Sequence, residues 1–137
     1  MPRPLATVLF LSLALLPPSV ASAGSLEKPL ATCDSGYILD IITARFSARA
    51  RTYLNTDLDI VRIDQPRQVR QTPRDDTHRV GRDYCAATAV TTDGEKRALW
   101  YLIERDFAFA GFGSSVEFCL GGLDPWHVYG AHCASLR

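Results

Sequence analysis

Tyr84-Cys85-Ala86-Ala87-Thr88-Ala89-Val90-Thr91-Thr92 and Glu95-Lys96-Arg97-Ala98-Leu99-Trp100-Tyr101-Leu102-Ile103-Glu104-Arg105 flank the dipeptide Asp93-Gly94. Two strand-prone runs joined by Asp-Gly are the strongest short-range signal for a β-hairpin. Reading Asp93-Gly94 as a two-residue loop sets Thr92 opposite Glu95, and every other pair follows. Ala87 then faces Trp100, Ala89 faces Ala98, and Cys85 faces Leu102. Side chains alternate across a strand, so these residues share one face. Tyr84, Ala86, Thr88, Leu99, Tyr101 and Ile103 share the other. The first face sets small alanines beside a large indole, which leaves room for a helix to approach.

The helix precedes the hairpin. Between Asp34 and Leu54, the residues Ile38, Ile42, Phe46, Ala50 and Tyr53 recur at spacings of four, four, four and three, and Leu39 and Ile41 widen the stripe. That periodicity predicts an amphipathic helix with one face to bury. Asp34 or Ser35 suits the N-cap and Asn55 the stop. Arg45 and Arg49 lie one turn apart beside the stripe, where cations late in a helix complement its dipole. We expect this helix to lie on the Ala87, Ala89 and Trp100 face.

Asp57 to Asp64 has the β-branched content of a strand, and Pro66 limits its continuation unless the strand lies at an edge. Gln68 to Gln71 suits a short strand inside a long surface loop running from Gln65 to Arg82. Beyond the hairpin, Val116 to Leu120 predicts a strand antiparallel to Glu95–Arg105. Gly121 to Pro125 predicts a turn, and Trp126 to Tyr129 a last short strand. The fold class is α+β: one long N-terminal helix packed on a curved antiparallel sheet of about four strands, in the order of a cystatin-like roll.

The start of the chain reads as a targeting segment. Arg3 supplies a positive charge, Leu5 to Leu16 an apolar run, and Ala21-Ser22-Ala23 a small-residue cleavage signal. The run is short of the about 20 residues that a helix needs to cross a bilayer. Residues 1–23 are therefore expected to be a signal peptide, and residues 24–137 one disulfide-stapled domain in the periplasm or outside the cell. No later segment is long enough to span a membrane. Four cysteines in an oxidising compartment predict two disulfides. Cys119–Cys133 is the most local pairing and leaves Cys33–Cys85, which would tie the helix start to a central strand. Cys33–Cys133 with Cys85–Cys119 stays open as an alternative.

No catalytic motif stands out. The formal net charge of zero gives no argument for nucleic-acid binding, which rests on neutralising many phosphates. His127 and His132, near Cys119 and Cys133, lack the one-turn helical spacing of common zinc motifs, and oxidised cysteines do not ligate. Asp75, Asp76 and His78 read as a solvated polar loop. Neither set predicts a metal, and no cofactor is expected. Glu104, Glu117 and Asp124 are the carboxylates best placed for acid–base work in a helix–sheet pocket.

Two stretches suit partner binding. Phe107, Phe109 and Phe112 alternate with small residues in a glycine-containing loop, as aromatic anchors of interfaces do. Residues 45–82 hold nine arginines against five aspartates, with Arg67, Arg70 and Arg74 in the polar interval. Guanidinium groups there would suit another envelope protein or an anionic envelope component.

The words Gly81-Arg82-Asp83-Tyr84-Cys85, Trp100-Tyr101-Leu102-Ile103-Glu104, Gly111-Phe112-Gly113, Val116-Glu117-Phe118-Cys119 and Asp124-Pro125-Trp126, closing at Cys133 and Leu136-Arg137, occur in that order. Over about Cys33 to Arg137 the chain resembles a group of small exported alphaproteobacterial proteins. The resemblance implies a bacterial periplasmic setting; the group has no established activity and carries no functional residue over. The expected function is an exported periplasmic binding or interaction module, inhibitor-like or an envelope accessory protein, without catalytic machinery. The alternative is a small periplasmic hydrolase or ligand-binding protein that uses Glu104, Glu117 or Asp124.

Overall fold

The computed structural model describes residues 31–105 and 114–137. Among these residues one helix, α1 (Gly36–Tyr53), is followed by four strands: β1 (Ile60–Thr72), β2 (Gly81–Thr91), β3 (Lys96–Arg105) and β4 (Ser114–Leu120). A 3-10 helix, Ala131–Leu136, follows β4. The strands form one antiparallel sheet in the order β1-β2-β3-β4, each strand beside its neighbour in sequence. The expected signal peptide 1–23 and the Phe107, Phe109 and Phe112 loop lie outside the described residues.

The periodic stripe makes α1 a one-sided helix. Ile38, Ile42, Phe46 and Ala50 are buried, while Tyr53, assigned to the stripe from its spacing, is exposed. Ser35 stands at the N-cap and makes no side-chain cap bond; its carbonyl accepts from the Ile38 and Leu39 amides. Asn55 stops the helix in the left-handed region at φ 51°, and the Thr56 N–H turns back to the Ala50 carbonyl at 3.2 Å. A short polar side chain tolerates that conformation better than most.

The helix covers one face of the sheet, and the hairpin register on that face differs from the expectation. The connection has three residues. Thr91 pairs with Glu95 through its amide (3.0 Å), and the Gly94 N–H closes the turn on the Thr91 carbonyl at 2.8 Å. Gly94 sits at φ 82°, the left-handed position that such three-residue loops require. The Asp93 carboxylate holds this geometry, accepting from the Thr91 hydroxyl (2.6 Å), the Glu95 amide (3.1 Å) and the Arg97 guanidinium (2.6 Å). Those bonds, the Arg97 one foremost, pull the Asp93 carboxyl well below the usual range.

A one-residue shift exchanges the two faces of one strand. Cys85 therefore pairs with Tyr101, Ala86 with Trp100 and Ala87 with Leu99. Cys85, Ala87 and Ala89 do face the helix, as expected. Trp100 does not: Leu99, Tyr101 and Ile103 face it instead and are fully buried with Ile38, Ile42, Val116, Phe118 and Leu120. The Tyr101 hydroxyl donates to the Cys33 carbonyl at 2.6 Å, pinning the helix entrance to the sheet. Burial, with the charge of Asp34 adding to it, pushes that phenol well above its ordinary range.

The interval from Gln65 to Arg82 contains far more strand than expected. β1 runs through Pro66 to Thr72, with register irregularities between Ile60 and Arg62, Asp64 and Arg67, and Gln68 and Arg70. Pro66 is tolerated because β1 lies at one end of the strand order, where a missing N–H breaks no second ladder. Gln65, at φ 52°, absorbs the irregularity beside it.

The second face has its own small core. Leu102, Cys119, Cys133 and Leu136 are buried there, with Tyr84, Trp100 and Tyr129 packed around them. The cover is the 3-10 helix; the stretch Trp126–Tyr129, expected as a strand, consists of turns. Both disulfides are those of the local pairing, Cys33–Cys85 and Cys119–Cys133. The first joins the helix entrance to β2, and the second holds the tail against β4.

Candidate functional site

The C-terminal half of α1 runs beside the outer edge of β4. Arg45 donates to the Val116 carbonyl at 2.9 Å, and Arg49, one turn on, to the Phe118 carbonyl at 3.4 Å. Backbone groups alternate in direction along a strand, so two residues apart they point the same way. The Arg49 guanidinium also stacks on the Phe118 ring, 4.4 Å from its centroid. Spacing alone suggested that these arginines answer the helix dipole; the structure uses them to cap strand carbonyls. Among the described residues no carboxylate forms an ion pair with either.

Beyond Arg49, helix, strand and tail diverge and leave a groove of about 460 Å³. Phe46, Arg49, Tyr53 and Leu54 form the helix wall; Phe118, Cys119 and Leu120 form the sheet wall. The third wall is the loop after β4: Leu123, Asp124, Trp126, Val128 and Tyr129. Gly122, at φ 80°, turns the chain back after β4. Asp124 then fixes the loop, its Oδ1 accepting from the Val128 N–H (3.0 Å) and its Oδ2 from the Tyr129 N–H (3.1 Å). The apolar side chains at the rim stand out in solvent: Tyr53 is 63% exposed, Trp126 63% and Val128 69%. Large apolar groups so exposed around one recess mark an interaction surface more often than a plain exterior.

The carboxylates singled out in the sequence do not converge on this groove. Glu104 is buried and accepts from Arg82 at 2.8 Å, a bond that raises the Arg82 pKa. Glu117 is exposed on the same face, diagonal to Glu104 across β3 and β4. Only Asp124 lines the groove, and its two oxygens are held by backbone amides. A second ion pair, Asp83–Arg105, bridges β2 and β3, with Asp83 only 1% exposed.

The arginines of the polar interval take separate places. Arg67 is exposed on β1, on the face away from α1. Arg70 lies over the Tyr84 ring at 3.5 Å and donates to the Arg137 carbonyl at 3.3 Å, so it helps to tie the tail down. Arg74 is exposed just beyond β1. His127 and His132 line a smaller recess of about 250 Å³, and Cys119 and Cys133 are spent in their disulfide. Among the described residues no group of three metal-ligating side chains forms. Asp75 closes its own turn, accepting from Thr77 and from the His78 amide, and these bonds hold its carboxyl below the usual range.

Sequence reasoning missed the groove because its parts lie far apart in the chain. Tyr53 reads as core from its spacing, and Trp126 sits in a segment expected to be a strand. The available signal was Asp124-Pro125-Trp126: a turn former and proline ahead of a large aromatic holds that aromatic outside regular structure. No family model matches the chain, and neither a curated protein nor a solved structure matches it.

Proposed function

We propose that this chain is an exported binding module of the bacterial envelope, released after Ala23, and that it holds its ligand in the groove between α1, β4 and the Asp124–Tyr129 loop. One observation carries the reading: Tyr53, Trp126 and Val128 stand exposed around an apolar recess of about 460 Å³. That volume lies within the range of about 300–1,000 Å³ usual for ligand sites. Two disulfides suit an oxidising compartment such as the periplasm. Among the described residues no helix is long and apolar enough to cross a membrane. We keep the comparison with a cystatin-like roll, an inhibitor-like scaffold, as part of the proposal, since a helix followed by an antiparallel meander supports it. Arg67 and Arg74 are proposed as a secondary surface for an anionic envelope partner.

The test uses the purified protein and N-phenyl-1-naphthylamine, a neutral probe that fluoresces in apolar sites. Wild type should bind it, and Trp126→Ser/Val128→Ser should lose most of that signal with an unchanged near-ultraviolet circular dichroism spectrum outside the indole bands. Equal binding by the double variant would remove the groove from the account.

A further inference from the structure

Resting on the groove reading, we infer that the ligand is a single-chain amphiphile with a carboxylate head, its acyl chain in the groove and its head on Arg49. The walls are almost wholly apolar, with one cation at the α1 end and one carboxylate in the loop. Among the described residues Arg49 has no acidic partner, and beside one carbonyl at 3.4 Å most of its five N–H donors have no protein partner there. An anionic head satisfies that fork in a bidentate manner. Asp124 sets the orientation, because its charge repels a head placed at the loop end.

The sheet wall argues against an extended peptide as the occupant. A peptide adding to the β4 edge must donate to its outward carbonyls, and Arg45 and Arg49 already occupy those of Val116 and Phe118. An acyl chain makes no such demand. It asks only for apolar area, which Phe46, Leu54, Leu120 and Leu123 supply.

The experiment measures displacement of N-phenyl-1-naphthylamine from wild type, Arg49→Gln and Arg49→Lys. The competitors are decanoate, dodecanoate, dodecanol, dodecyltrimethylammonium and the peptide acetyl-Ala-Ala-Phe with a free carboxylate, all below their aggregation concentrations. A Trp100→Phe background makes Trp126 the one indole reporter. Dodecanoate should bind roughly tenfold or more tighter than dodecanol, since a charged hydrogen bond contributes at least that factor. Arg49→Gln should erase the difference and Arg49→Lys restore part of it. Each added methylene should tighten binding by roughly two- to fourfold. Equal binding of acid and alcohol, preference for the ammonium, or tighter binding of the peptide would each overturn the carboxylate amphiphile while leaving the groove intact. If the neutral probe binds but no amphiphile displaces it, the ligand class falls and the binding module stands. If the probe itself fails to bind, the groove reading falls first.

Discussion

Replacing both Cys119 and Cys133 with alanine should release the tail and expose Trp100. The two cysteines are 14 residues apart, and closing a loop of that size lowers the entropy of the unfolded chain by an amount worth about 3 kcal/mol. What the tail retains without the bridge is small. Burial of Leu136, 2% exposed, contributes about 1.5–3 kcal/mol. Ordering each backbone residue opposes that by about 1–2 kcal/mol. The stacking of Arg70 on Tyr84 and its bond to the Arg137 carbonyl add little at an exposed site. The tail should therefore come away while the helix-facing core stays folded. In a Trp126→Phe background Trp100 is the only indole, and its emission should shift to the red under native conditions. The urea midpoint should fall by the equivalent of up to about 3 kcal/mol, which is up to about 12 °C in Tm for a domain of this size. Removing Cys33 and Cys85, 52 residues apart, should cost about 4 kcal/mol and detach the helix entrance. An unmoved Trp100 emission with an unmoved midpoint would refute the account of the tail. A larger loss from the shorter loop would refute the chain-entropy argument.

Arg45→Ala/Arg49→Ala should uncover the outer carbonyls of β4 and give concentration-dependent dimers by light scattering, because an unprotected edge pairs with another edge. Arg105→Gln leaves the buried Asp83 carboxylate uncompensated and should cost about 3–5 kcal/mol in urea unfolding. Arg82→Gln, whose side chain is 38% exposed, should cost about 1 kcal/mol or less. Asp93 has its folded pKa depressed, chiefly by Arg97, so the stability it contributes is present above its unfolded pKa of about 4 and is lost as pH falls through the lower folded value. Asp93→Asn should therefore lower the urea midpoint at pH 7 and flatten its decline below about pH 4.

Much of the architecture was legible because it is local. The stripe from Ile38 to Ala50 specifies a one-sided helix whatever it packs on, and Asp93-Gly94 specifies a reversal between two strands. The preference for Cys119–Cys133 over longer pairings followed from proximity, and the structure has that bridge. Loop length was not legible. Asp-Gly suits both two- and three-residue turns, and the choice rests on Asp93 gathering Thr91, Glu95 and Arg97 at once. The length of β1 was equally hidden, since Pro66 ends a central strand but not an edge strand, and position in the sheet is not written locally.

The sequence by itself determined the helix, the hairpin and the favoured cysteine pairing, all through short-range periodicity and spacing. Tertiary structure alone decided which face Tyr101 and Trp100 occupy, that Arg45 and Arg49 cap a strand edge, and that Tyr53, Phe118 and Trp126 share one groove. A register slip of one residue changes no composition and no period, yet it moves each side chain of a strand to the opposite face. A groove between three elements exists only once they have packed, so its residues carry no common signal along the chain.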